Sequence, residues 1–140
     1  MGLNALCPLF LGDDMILSEI IARYDNERKN TEDKSVKQRW VEELERIVLD
    51  DVILTHENEI ENPDEYFDDW GDSKELLIPM QYADVYINYI DMKMQLKLNQ
   101  LQKYNSASTL YNNAYLTYQQ WYNRHHKPLF VKKWTKHEGI

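Results

Sequence analysis

One cysteine, four glycines and four prolines are all that this chain of 140 residues holds of the residues that cross-link, loosen or break a backbone. The single Cys7 has no partner for an internal disulfide, which points to a reducing compartment, or to assembly there before release. So few glycines and prolines, beside many Leu, Glu, Lys and Gln, favour helices, because unbranched side chains lose little rotamer freedom on a helix. No glycine-rich phosphate loop, no G-x-S-x-G elbow and no Cys–His pair placed by sequence occurs. Long hydrophobic runs are missing too. Residues 1–11 are apolar but have no basic leader, and Asp13 and Asp14 close them far short of a membrane span, so neither signal peptide nor anchor is expected.

The length suits one domain, and a hydrophobic fraction of 43% is enough for one modest core. The net charge of -8 conceals a polarity along the chain. Up to Asp91 there are 23 acidic and 8 basic residues, and beyond it 1 acidic and 8 basic, so the two parts carry about −15 and +7. Such a split suits subunits that meet head to tail in a ring, or a basic end that docks on an acidic partner. A solvated acidic surface with a basic end would look the same and implies no function.

Along the chain, a first helix is expected after Asp13 or Asp14, with Ile16, Ile20 and Tyr24 on one stripe. Ser35 reads as the N-cap of a second helix to about Leu54, in which Val36, Trp40, Leu44, Ile47 and Val48 share a face and Glu42 pairs with Arg46. Residues 55–75 are densely acidic, carry Pro63 and Gly71, and set Tyr66, Phe67 and Trp70 without a helical period; a long, partly ordered loop is expected, of the kind that often forms an interaction surface. Pro79 opens a third helix carrying Tyr82, Val85, Tyr86, Tyr89, Ile90, Lys93 and Leu96, which runs to about Gln102. Asn105 or Ser106 caps a fourth with Leu110, Ala114, Tyr118, Trp121 and His125 on one stripe, forming a hairpin with the third. Pro128 ends the helical pattern and leaves an extended tail. The expectation is an all-α fold, a small bundle of about four helices with a long acidic loop and a C-terminal arm, divided as residues 1–12, 13–126 and 127–140.

The aromatic residues of the hairpin, Tyr82, Tyr86, Tyr89, Tyr111, Tyr115, Tyr118, Trp121 and Tyr122, are expected as core or as subunit packing, since tyrosine buries area while keeping a hydroxyl for a polar rim. No polar cluster converges on them as a cofactor site requires, and base stacking would need more basic lining than Lys93, Lys97 and Lys103 supply. No metal site is expected. His125 and His126 are neighbours that point about 100 degrees apart on a helix, His137 is distant, and His56-Glu57 lacks a second His four residues on. Asp25, Asn26 and Glu27 begin like a calcium loop, yet Asn30 stands where its glycine belongs. Carboxylate pairs such as Asp68 and Asp69 are too numerous to single out a general acid and base, and a solvated acidic face explains them better. The tail is more telling. Phe130, Val131 and Trp134 need covering in a soluble protein, and with Lys132, Lys133, Lys136 and His137 between them they suit an arm docking on another chain, the alternative being a tail folded back on its own helices.

The segment Leu77, Ile78, Pro79, Met80, Gln81, Tyr82, Ala83, Asp84, Val85, Tyr86, then Lys103, Tyr104, Asn105, Ser106, then Leu110, Tyr111, Asn112, Asn113, Ala114, Tyr115, with Trp121, Tyr122, Asn123, Arg124, His125, His126, Lys127, Pro128, resembles the head-to-tail adaptor proteins of tailed phages. Val36, Lys37, Gln38, Arg39 and Trp40, with Glu43, Leu44, Asp51, Thr55, His56 and Glu57, extend the resemblance over about residues 36–128. The apolar residues 1–11 and the acidic residues 58–73 stand outside that pattern. The resemblance implies a helical protein without catalysis or cofactor, assembled as a ring, typically of twelve subunits, under the portal at the virion neck after building in the host cytoplasm. It would extend the DNA channel without sequence-specific binding, present a platform to tail or further neck proteins, and involve no membrane. By the same resemblance, portal docking falls on His126, Lys127, Leu129, Phe130, Val131, Lys132, Lys133 and Trp134. Other readings of the residues are a stopper or tail-completion protein, or a small regulatory protein binding nucleic acid through the basic half.

Overall fold

Four α-helices make up a small all-α bundle in the computed structural model, which describes residues 14–129: α1 Leu17–Glu27, α2 Lys34–Val48, α3 Asp84–Lys97 and α4 Leu101–His125. Among the described residues there is no strand, only isolated antiparallel bridges at Ile16–Glu75 and His56–Pro128. Helix α3 buries Val85, Tyr86, Ile87, Tyr89, Ile90 and Met94 on nearly every side, as a central helix must, and packs against all three others. Tyr24, Tyr86 and Tyr118 are the bulkiest fully buried side chains, and rings of that size dominate the apolar area a core removes from water.

The first helix starts two or three residues later than the aspartates suggest. Its free first-turn amides are satisfied from elsewhere: Leu17 N–H donates to the Lys74 carbonyl at 2.9 Å and Ser18 N–H to that of Asp72 at 3.0 Å, while Glu19 reaches back to Ile16 N–H at 3.2 Å. With those donors occupied, no capping side chain is needed. Helix α2 begins after Asp33, without a side-chain cap, and continues into a π-helical turn, Leu49–Ile53. Its Glu42–Arg46 pair forms at 3.0 Å. The face it buries is rotated from the expected one: Ile47 is 37% exposed, while Lys37 and Glu45 lie inside. A pattern that assigns polar residues outward misses both, because each is held by partners distant in sequence.

The hairpin turn also differs. Tyr104, Asn105 and Ser106 do not interrupt a helix; they lie inside α4, and the break falls at Leu98–Gln100. Asn99 adopts φ 60, the left-handed conformation in which Asn is one of the few tolerated residues. Around it Leu98 N–H donates to Met94 at 2.9 Å and Gln100 N–H to Gln95 at 2.9 Å, closing the helix end. Upstream, Pro79 opens a 3₁₀ turn, Met80–Tyr82, before α3 proper.

The acidic stretch is a long loop with local order, as expected. It carries a 3₁₀ turn, Pro63–Phe67, and its aromatics hold it down: the Arg46 guanidinium lies 3.9 Å over the Phe67 ring, and the Lys74 ammonium 4.0 Å over Tyr66. Asp72 is tied to Lys34 at 2.9 Å and Gln38 at 2.7 Å, both on α2. After α4 the chain runs antiparallel to residues 55–57, with Glu57 N–H donating to Lys127 at 2.9 Å and Leu129 N–H to Thr55 at 3.1 Å. The N-terminal extension and Phe130, Val131, Lys132, Lys133 and Trp134 of the expected arm lie outside the described residues.

Candidate functional site

The root of the C-terminal segment is built from side chains of α4 and of the turn after α2. His56, only 6% exposed, brings its Nδ1 within 2.7 Å of the Val52 carbonyl and its Nε2 within 2.8 Å of the Asn123 side-chain amide. Both contacts are to oxygens, the Asn123 one being its Oδ1, so which ring nitrogen donates depends on the tautomer and on which way the Asn123 amide is turned. The ring of Tyr122 meets His56 edge-on at 4.9 Å and is covered on one face by His126, stacked at 3.7 Å between centroids. Burial holds the His126 imidazole below its ordinary pKa, with His56 and His125 adding to the effect. Lys127 and Leu129 are exposed, so of the residues expected to dock, His126 is fixed against the bundle and the next ones turn outward.

Of the aromatic set, Tyr86, Tyr89, Tyr111, Tyr118 and Tyr122 are buried within this chain, while Tyr82, Tyr115 and Trp121 are partly exposed. The exposed members form a continuous cluster with the buried ones, Tyr82 lying 5.4 Å from Trp121 and 5.9 Å from Tyr118, and Tyr115 stacking on Tyr111 at 5.8 Å. Burial pushes the Tyr111 and Tyr122 hydroxyls up to about 12. The Tyr118 hydroxyl is buried and finds no hydrogen-bond partner among the described residues.

Sequence reasoning missed the polar centre of the molecule. Glu45, fully buried, accepts at Oε1 from Tyr66 OH at 2.6 Å and Leu77 N–H at 3.0 Å, and at Oε2 from Tyr86 OH. Burial raises its pKa to about 7, against the pull of those donors. Among the described residues no cation forms an ion pair with it, Lys74 acting only from a distance; three elements converge on one carboxylate instead. Asp91 is a second such post, accepting from Tyr24 OH at 2.9 Å and Gln95 at 3.1 Å, with Arg28 at 3.2 Å. Buried Lys37 is held by Asp25 at 2.6 Å and Asn30 at 2.9 Å. These partners lie 4 to 67 residues apart in sequence, and no local spacing signals most of them.

Among the described residues no group of three or more His, Cys, Asp or Glu is placed to hold a metal ion. Nor is any helix there long and apolar enough to cross a membrane. Comparison with protein-family models, with curated proteins and with solved structures finds no match to this chain.

Proposed function

We propose that the chain is a structural, non-catalytic subunit of a tailed-phage virion, a head-to-tail adaptor that forms a ring under the portal, extends the DNA channel and receives tail components. The observation that carries the reading is the way the chain leaves the bundle. His126 is stacked on Tyr122, Lys127–Leu129 is pinned against residues 55–57, and the apolar and basic residues that follow start from a fixed point. An arm anchored at its root loses less freedom on docking than one hanging from a mobile end, which favours binding. The resembling residues fall on α2 and the turn after it, on the approach to α3 and its first residues, and on α4. Partly exposed Tyr82, Tyr115 and Trp121 suit the edge of a subunit contact.

The test is removal of the residues after Leu129. The shortened chain is expected to fold with unchanged helix content and to fail to join portal-bearing particles; unchanged incorporation overturns the docking arm. Native mass spectrometry of the full chain with portal separates the alternatives. A ring that adds directly to portal supports the adaptor, joining only after another neck protein moves the chain to a stopper or tail-completion position, and retention on DNA in steeply salt-dependent fashion favours a regulatory protein.

A further inference from the structure

Between Tyr104 and Asn123 helix α4 carries no charged side chain, in a chain that is 29% charged. Ala107, Tyr111, Tyr118 and Tyr122 face the core, so Asn105, Asn112, Leu116, Gln120 and Asn123, at helical spacing, share the side turned away from it, and all five are exposed. Leu116, 52% exposed, sits at the centre of this strip, and Lys103 and Arg124 close its two ends. The outer side of a surface helix ordinarily carries charge; a strip without it matches the depletion of charged residues where one subunit covers another.

We propose that this strip seats the acidic stretch, residues 57–68, of a second copy of the chain. The chemistry of the two surfaces is complementary. The stretch offers Glu57, Glu59, Glu61, Asp64, Glu65 and Asp68, all exposed, with no basic residue between positions 57 and 73. Asp69 and Asp72 beyond them are taken up by Lys74 and Lys34, whereas these six form no ion pair among the described residues. On the strip, the side-chain amides of Asn105, Asn112 and Gln120 each supply two N–H donors to a carboxylate and bring no charge of their own to desolvate. Lys103 and Arg124 meet further carboxylates at the rim, where charge pairs set orientation and the rate of encounter. The stretch arrives ordered, because Tyr66 is tied to Glu45 at 2.6 Å and Phe67 lies under Arg46, so little freedom is lost on docking. Within one chain both surfaces are exposed, the stretch being held against α2, and neither covers the other. A second copy supplies the matching half: the strip belongs to the basic part of the chain after Asp91 and the stretch to the acidic part before it. The contact joins two different surfaces and so repeats head to tail, as ring closure requires. It rests on the reading of the chain as a ring subunit and names the contact that the ring would use.

Two full-length variants test it without portal, each with Cys7→Ser and one new cysteine, Asn112→Cys in the first and Glu61→Cys in the second. Mixed and mildly oxidised, they are expected to give mainly the disulfide between unlike copies. A product mainly between two copies of the first variant would mean that α4 pairs with itself, and a random mixture or no product would mean that the surfaces do not meet; each overturns the proposal. Sedimentation velocity gives an independent reading. Asn112→Glu with Leu116→Glu, at two exposed positions, sets carboxylates against the incoming stretch and is expected to weaken association about tenfold at about 0.01 M salt with helix content unchanged. Association unchanged by the pair of substitutions overturns the proposal as well. Loss of this contact leaves the arm and its portal test untouched, and failure of the arm test leaves this contact standing.

Discussion

Glu45 shows how one residue joins three elements and at what cost. A carboxylate taken wholly out of water without a cation is held only by hydrogen-bond donors, so its protonated form is favoured and its pKa rises from 4.5 to about 7. Tyr66 has a second acceptor, the Glu75 carbonyl at 2.7 Å, so a protonated Glu45 can donate to the Tyr66 oxygen while Tyr66 turns its own proton to Glu75. The folded state thus binds this proton more tightly than the unfolded chain does. The stabilisation is complete below about 4.5 and is lost as pH rises to about 7. His126 acts in the opposite sense, since its lowered pKa makes folding less favourable as pH falls. The comparison of wild type with Glu45→Gln isolates the first effect: urea unfolding between pH 5 and pH 8 is expected to show a stability loss on the order of 2–3 kcal/mol in the wild type that the variant lacks. Equal slopes in both proteins would remove Glu45 as the cause. At the arm root, His56→Ala removes a buried ring that packs on Tyr122, while the Val52 carbonyl keeps Thr55 Oγ1 at 2.9 Å and exposed Asn123 can turn to water, so the void dominates, with an expected loss of roughly 2–3 kcal/mol in the same measurement.

At the scale of elements, the helices are legible in the spacing of their apolar residues and their ends are not. The all-α class, the order of helices and the Glu42–Arg46 pair follow from local pattern, which is why they survive in the structure. The hairpin turn was hidden because Tyr104, Asn105 and Ser106 offer a plausible cap, whereas the residue that bends the chain is Asn99, distinguished only by its tolerance of a left-handed backbone. The acidic stretch reads as a loop because its anchors, Tyr66 on Glu45 and Phe67 under Arg46, have no period. Two substitutions test these assignments by thermal unfolding. Asn99→Gly is expected to be near neutral and Asn99→Val to lower stability by roughly 1–2 kcal/mol, because a β-branched side chain resists that conformation. A break at Asn105 would instead leave Asn99→Val harmless.

For the whole molecule, the charge polarity read from the sequence is partly neutralised inside the chain. Lys97 bonds Glu32 at 2.6 Å and Lys93 bonds Glu43 at 3.1 Å, so two of the cations beyond Asp91 face the acidic half of the same subunit. Lys103, Arg124 and Lys127 make no ion pair among the described residues, and most carboxylates between residues 57 and 68 are exposed. These are the charges available to a neighbour. The candidate arm beyond Leu129 was legible only as composition, and the aromatic hairpin only as a stripe; which of its rings face outward needed the fold, since burial depends on α1 and α2 as much as on the hairpin itself. If copies meet acidic face to basic face, their association is steered by charges that salt screens, the screening length falling from about 30 Å at 0.01 M to about 8 Å at 0.15 M. Sedimentation velocity of the full chain over that range is then expected to show a shift toward monomer as salt rises, with Lys103→Glu and Arg124→Glu weakening association at low salt. Association indifferent to salt and to both substitutions would assign the contact to the apolar edge at Tyr82, Tyr115 and Trp121, where burial rather than charge supplies the attraction.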